Sequence, residues 1–164
     1  MTTAQLVSVD EYLHTSYEPD AEYVEGRIVH RAMPQQPHSE LQGFLVRILY
    51  AVGKPLGYRV WPEQRLQTRP DLFRVPDLCV TKGRPNEKIY TSPPFLCIEI
   101  LSPDDKAVDV RAKVDEYLAF GVPYVWVIDP ESRRGEVHTK AGIERVQDGI
   151  FRAGEIEVNV ENLD

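Results

Sequence analysis

Cysteine and long apolar stretches are both scarce in this sequence. Only two cysteines occur in 164 residues, which excludes a disulfide scaffold, and Cys79 and Cys97 each lie in an apolar, strand-like run. We therefore expect them to be buried, reduced thiols. No apolar stretch approaches the roughly 18 residues of a membrane span, and Met1–Ala4 does not resemble a secretory signal. These absences favour a cytoplasmic protein with no membrane partner.

A basic excess is also absent, since the formal net charge is −7. Non-specific nucleic-acid binders usually carry such an excess, because phosphate neutralisation supplies most of their affinity. Local positive charge does occur, and the six basic residues of one segment are Arg65, Arg69, Arg74, Lys82, Arg84 and Lys88. This basic cluster predicts either a local contact with nucleic acid or a solvated loop face.

Repeats, low-complexity segments and Gly/Ser-rich linkers are missing as well. Hydrophobic residues make up 42% of the chain and charged residues 27%, as in ordinary globular proteins. We therefore predict one domain over residues 1–164.

The apolar periodicity predicts helices and strands in alternation. The predicted elements are a short helix after the capping box at Ser8–Glu11, a hairpin turning at Glu25–Gly26, a helix over 41–52 ended by Gly53 and Pro55, strands over 58–66, 73–80, 95–101 and 124–128, a helix over 107–118, and a hairpin over 136–146. The helix between the last two strands predicts that they are parallel. The fold class is thus mixed α/β (α+β), a mixed central sheet flanked by helices.

Two of these strand candidates each carry one carboxylate, Asp77 after Val75-Pro76 and Glu99 within Phe95–Leu101. Burying an ionised carboxylate is costly unless a partner or a metal ion compensates. The pair therefore predicts a divalent-cation site, and its oxygen ligands favour Mg²⁺ or Mn²⁺ over zinc. The alternative is that both are strand-end acids that reach solvent or pair with a structural Lys or Arg.

The helix that follows Glu99 carries Lys106, Asp109 and Lys113 on one face, because these residues are separated by three, four and seven positions. A lysine beside a bound phosphate or a metal-bound water can stabilise developing negative charge. Lys113 is therefore a candidate catalytic residue. Alternatively, it is an exposed helix lysine paired with Asp109 or Glu116.

The register of the two acidic strands follows from the alternation of side chains. Cys79 shares a face with Asp77, and Cys97 shares a face with Glu99. If the strands are antiparallel with Asp77 opposite Glu99, then Cys79 lies opposite Cys97. A slip by one residue would place the two acids on opposite faces of the sheet and exclude a shared metal ion.

The order of these motifs resembles the PD-(D/E)XK nuclease superfamily and, more closely, the Uma-type family of restriction endonucleases. The matching segments, which extend from Ser8 to about His138, are Glu22–Gly26, Pro37–His38, Val75–Leu78, Glu99–Pro103, Asp109 with Lys113 and Tyr117, Gly121–Pro123, Trp126 and Asp129–Pro130. The resemblance implies a restriction-endonuclease-like core and Mg²⁺-dependent hydrolysis of DNA, with a homodimer as one possible assembly. It also implies metal coordination by Asp77, Glu99 and the carbonyl of Ile100.

One position departs from the superfamily pattern, because the usual lysine two residues after the glutamate is Leu101 here. The Uma-type resemblance implies that Lys113 takes its role from the following helix. The superfamily often adds a third acid, for which Glu40 is the nearest match, although an acid near a helix N-terminus is also stabilised by the helix dipole. His38 is expected to pack or cap rather than to act as a ligand.

Three functions compete. The first is a Mg²⁺-dependent DNA endonuclease, which the combination of Asp77, Glu99 and Lys113 favours. The second is a catalytically silent nuclease-fold domain that binds nucleic acid or protein, which the negative net charge and Leu101 favour. A small-molecule phosphohydrolase is disfavoured, since no Gly-rich phosphate loop or histidine nucleophile stands out.

Overall fold

The computed structural model of the protein describes residues 5–163; Met1–Ala4 and Asp164 lie outside the described residues. The helices of this range are α1 (Val9–Leu13), α2 (Gln36–Gly53) and α3 (Ala107–Phe120). Its strands are β1 (Ala21–Val24), β2 (Arg27–His30), β3 (Tyr58–Pro62), β4 (Leu66–Arg69), β5 (Leu72–Arg74), β6 (Leu78–Lys82), β7 (Leu96–Ile100), β8 (Tyr124–Ile128), β9 (Gly135–Thr139), β10 (Gly142–Val146), β11 (Ile150–Ala153) and β12 (Ile156–Asn159). Within residues 5–163, no helix has the length and apolarity needed to cross a membrane.

A six-stranded mixed sheet forms the centre of the fold, in the order β10-β9-β8-β7-β6-β3. Strands β7 and β8 are parallel and joined by α3, as predicted, and the other neighbours are antiparallel. Leu41, Leu45 and Leu49 of α2 pack on one face of the sheet. Val114 and Tyr117 of α3 pack on the other. This arrangement confirms the predicted mixed sheet between helices.

The register of β6 and β7 is the predicted one, because Cys79 pairs directly with Cys97. Both cysteines are fully buried and free. Burial raises the pKa of the Cys79 thiol to about 12 and raises that of Cys97 as well. Asp77 and Glu99 therefore project to the face on which α3 packs.

Two predicted strands are shorter in the structure, and proline is the physical reason. The strand predicted over 73–80 is divided into β5 and β6, because Pro76 cannot donate to a ladder. The strand predicted over 58–66 ends at Pro62, and Glu63 follows with a positive φ of 51°. The break at Pro76 moves the chain from a second sheet, ordered β2-β1-β5-β4, into the central one. It also places Asp77 where the two sheets meet.

The local predictions near the N-terminus are confirmed. The Ser8 hydroxyl accepts the N–H of Glu11 at 3.1 Å and caps α1. Glu25 and Gly26 both have positive φ and connect β1 to β2. The hairpin of β11 and β12 was not predicted, and its apolar residues, which include Phe151, cover the α2 side of the central sheet.

Candidate active site

A cleft of about 840 Å³ opens between the second sheet, the start of α2 and the first turns of α3. Asp77, Glu99, Ile100 and Lys113 all line it. The structure therefore brings together the four residues that the sequence singled out for metal binding and catalysis.

Asp77 lies one residue before β6 and is only 3% exposed. The backbone N–H of Ile100 donates to its Oδ2 at 2.7 Å. Its Oδ1 accepts a hydrogen bond from Arg31 Nη2 at 2.6 Å and lies 3.1 Å from His38 Nε2. The carboxylate is thus held on both oxygens and joined directly to the end of β7.

Glu99 is the fourth residue of β7 and is buried. Burial, together with the charges of Asp77 and Glu22, raises the pKa of its carboxyl to about 7, although the charge of Lys113 and the Tyr117 hydroxyl oppose this rise. The Tyr117 hydroxyl donates to its Oε1 at 2.6 Å. A carboxyl group in this position favours the approach of a cation, because positive charge would relieve both burial and repulsion.

Lys113 extends from α3 into the same cleft. Its Nζ lies 3.1 Å from Glu22 Oε1 and 4.0 Å from Glu99 Oε2. The charge of Glu99 raises the pKa of this lysine, so the ammonium form is favoured. Glu116, one of its alternative partners, instead pairs with Arg74. The ammonium therefore points toward the acids, as the sequence predicted.

Glu22 and Arg31 are residues of this site that sequence reasoning missed, and Glu22 is the acid among them. Glu22 lies on β1, is 1% exposed and accepts the N–H of Val75 at 2.8 Å. Arg74 Nη1 lies 3.4 Å from it, in addition to Lys113. The sequence held the same signal as for Glu99, a carboxylate in a short apolar strand. Glu22 was nevertheless noted only as part of the segment Glu22–Gly26 that matches the family.

The structure also places the remaining candidate residues. Glu40 is exposed on α2, 3.9 Å from Arg133, and does not line the cleft, which favours the alternative of a helix N-terminal acid. His38 is buried near the start of α2, as expected for a packed histidine, and it also contacts Asp77. Arg74 does not join a basic surface cluster, because it is buried and forms two hydrogen bonds to Glu116.

The donor set suits a hard divalent ion. Asp77 lies close enough to Glu99 for its charge to raise the pKa of that carboxyl, and Ile100 lines the same cleft. Among residues 5–163, no group of three or more His, Cys, Asp or Glu side chains converges as a metal cage. Mg²⁺ does not require one, since it is often held by one or two carboxylates and keeps several waters.

The fold and the position of the cleft define a restriction-endonuclease-like protein. A protein from Anabaena variabilis ATCC 29413, whose crystal structure is described as that of "a putative nuclease belonging to DUF820", superposes with a TM-score of 0.83. It is 29% identical, and the match covers 96% of this chain and 97% of that one. No curated protein matches the chain.

The family follows from the sequence match. Residues 9–161 match the model of the Uma2 family, which is described as "Putative restriction endonuclease". The chain belongs to this family. The resemblance inferred from the motifs is therefore confirmed, as is the fold class.

Proposed function

We propose that this protein is an endonuclease that hydrolyses phosphodiester bonds of DNA with Mg²⁺ or Mn²⁺. The observation that carries this proposal is the convergence of Asp77, Glu99 and Lys113 in one cleft of a Uma2-family chain. Asp77, Glu99 and the carbonyl of Ile100 would hold the ion. When bound, such an ion polarises the phosphodiester and lowers the pKa of a bound water.

The protein's own groups have separate roles in this proposal. Lys113 remains protonated, because the neighbouring acids raise its pKa. It therefore supplies positive charge to the phosphate as negative charge develops, rather than acting as a base. The Tyr117 hydroxyl fixes one oxygen of Glu99, and the N–H of Ile100 fixes one oxygen of Asp77.

A silent nuclease-fold domain is the second candidate. The observation that favours it is that Asp77 already has hydrogen-bonding partners on both oxygens, including the guanidinium of Arg31. The negative net charge of −7 also opposes DNA binding without cations.

Plasmid nicking with Mg²⁺ or Mn²⁺ tests the proposal. Asp77→Ala and Glu99→Ala should each lower the rate by about 100-fold or more, and Lys113→Met by a similar factor, because each removes charge from the reacting centre. Glu40→Ala is the matched control, since Glu40 is an exposed acid that does not line the cleft, and it should retain the wild-type rate.

The contrary outcomes are distinct. Equal nicking by wild type, Asp77→Ala and Glu99→Ala would indicate a contaminating nuclease and reject the enzyme. Metal binding by the wild type without cleavage of plasmid, linear duplex or single-stranded DNA would establish the silent domain instead.

A further inference from the structure

Arg31 makes a contact at the centre of the cleft that the chemistry of hydrolysis does not require. Its Nη2 lies 2.6 Å from Asp77 Oδ1, and its Nη1 lies 3.1 Å from Glu63 Oε1. The side chain is 15% exposed, whereas Asp77 is almost completely buried. Arg31 is thus the arginine that neutralises the first acid of the proposed metal site.

The position of Arg31 in the chain permits movement of its side chain. It is the first residue after β2, in the connection to α2, and its backbone N–H is bonded to the carbonyl of Asp20 at 2.8 Å. The backbone is anchored there, and the side chain reaches the cleft through several rotatable bonds, so the guanidinium can turn away from Asp77 without movement of the backbone. Glu63, at the other end of the guanidinium, is half exposed and faces solvent.

The second basic group at Asp77 is placed differently. His38 lies near the start of α2, is buried and reaches Asp77 Oδ1 with Nε2 at 3.1 Å. A histidine on a packed helix has little freedom to withdraw. If a divalent ion approaches Asp77, Arg31 is therefore the positive group that can leave.

We propose that Arg31 is a placeholder cation that neutralises Asp77 until a divalent ion replaces it. This inference rests on the proposed metal site. A buried carboxylate needs a counter-charge at all times, whereas a guanidinium and a divalent ion on the same oxygen repel each other strongly in a site of low dielectric.

The displaced guanidinium retains a function at the cleft. Arg31 stays near Glu63 and the opening, where a phosphate group of the substrate would pass. A guanidinium binds phosphate through two parallel N–H donors. The exchange at Asp77 would therefore release a phosphate-binding group at the moment when the ion arrives.

The placeholder role predicts that removing Arg31 makes metal binding tighter. Arg31→Met keeps an unbranched stem but removes the charged guanidinium, so the ion no longer competes with it for Asp77. Calorimetric titration with Mn²⁺ should show an affinity at least about fivefold higher than that of the wild type. Arg69→Met is the matched control, because Arg69 forms an exposed ion pair with Glu25, and its Mn²⁺ affinity should not change.

Thermal unfolding gives an independent readout. Without metal, Arg31→Met should have a lower melting temperature than the wild type, because Asp77 has lost a counter-charge. Saturating Mn²⁺ should reduce this difference in melting temperature, because the variant binds the ion more tightly and is therefore stabilised by it more than the wild type is. If Arg31→Met does not fold, Arg31→Lys keeps a charge in a weaker geometry and should show a smaller gain in affinity.

The outcomes separate this inference from the proposed function. Unchanged or weaker Mn²⁺ binding by Arg31→Met, with a wild type that binds Mn²⁺ and a Glu99→Gln variant that does not, would overturn the placeholder role alone. Equal titrations of wild type, Arg31→Met and Glu99→Gln, with no specific binding in any, would overturn both.

Discussion

At the scale of residues, three buried carboxylates determine the character of the cleft. Glu22, Asp77 and Glu99 are each 8% exposed or less. Glu22 faces Lys113 and Asp77 faces Arg31, at 3.1 Å and 2.6 Å. Glu99 has only a hydroxyl at hydrogen-bonding distance and an ammonium at 4.0 Å. Glu99 is therefore the acid whose charge is least compensated, and perturbed acids of this kind concentrate at functional sites.

The raised pKa of Glu99 predicts a specific pH dependence of stability. The ordinary value of 4.5 becomes about 7 in the folded protein, so between these values the native state holds a proton that the unfolded chain has released. The free energy of unfolding should therefore fall as the pH rises through this window, by up to about 1.4 kcal/mol per pH unit.

Comparison with Glu99→Gln isolates this contribution from that of other groups. Urea unfolding in EDTA at several pH values should show the stability of the wild type declining relative to the variant between about pH 4.5 and about pH 7. The difference should be constant on either side of that window. A difference that does not change with pH would show that the pKa of Glu99 is not raised in the folded protein.

At the scale of elements, the contact between β1 and α3 holds the lysine in place. Glu22 on β1 lies closer to the Lys113 ammonium than Glu99 on β7 does, at 3.1 Å against 4.0 Å. The Glu22 carboxylate is itself fixed by the N–H of Val75 and by Arg74. In the proposed mechanism, Glu22 would therefore be a positioning residue that acts through Lys113.

Replacement of this carboxylate tests the positioning role. Glu22→Gln keeps the shape of the side chain but removes the charge that holds Lys113, so we expect kcat to fall by about tenfold or more with little change in KM. Mn²⁺ affinity should remain near that of the wild type, because the proposed metal ligands are intact.

Two controls accompany that measurement. Glu25→Gln changes an exposed acid of the same hairpin and should have no effect on cleavage. The Glu22→Gln and Lys113→Met changes should not add in the double variant, since both act through one ammonium group. Additive losses would show that Glu22 acts independently of Lys113.

At the scale of the whole molecule, the net charge is −7, and negative charge is also in excess at the cleft. Ten Asp or Glu side chains line the cleft, against four Lys or Arg side chains. A polyanionic substrate is repelled by such a surface unless cations neutralise it. On the proposed function, we therefore expect DNA binding to depend on the divalent ion.

This coupling predicts that DNA affinity depends on divalent ions beyond their effect on ionic strength. Fluorescence anisotropy with a short labelled duplex and the Lys113→Met variant should show about tenfold tighter binding in Mg²⁺ than in EDTA with KCl at equal ionic strength. The Asp77→Ala, Lys113→Met double variant should lose most of this gain. Tight binding in EDTA would contradict the coupling and locate DNA binding outside the cleft.

The alternation of side chains along strands, the apolar periodicity of helices and the turn residues were sufficient to predict much of the fold from the sequence. These are local signals: the capping box at Ser8, the stripe along α2 and the alternation that aligns Cys79 with Cys97 each depend on neighbouring residues. Asp77, Glu99 and Lys113 were also found from local patterns, since an acid within an apolar strand and a lysine on the next helix are visible along the chain. The division of the predicted strand at Pro76 was missed, because the apolar residues on both sides of this proline have the pattern of one continuous strand.

The sequence by itself therefore determined most strands and helices of the central sheet and the two acids, and it limited the register to one that would place both acids on one face, which the pairing of Cys79 with Cys97 then settled. Only the tertiary structure decided what surrounds those acids. Glu22 reaches Lys113 from another strand, and Arg31 and His38 reach Asp77 from positions 46 and 39 residues away. No periodicity encodes such contacts, because they depend on how the two sheets and α2 meet. The counter-charges that govern this cleft are for that reason a property of packing.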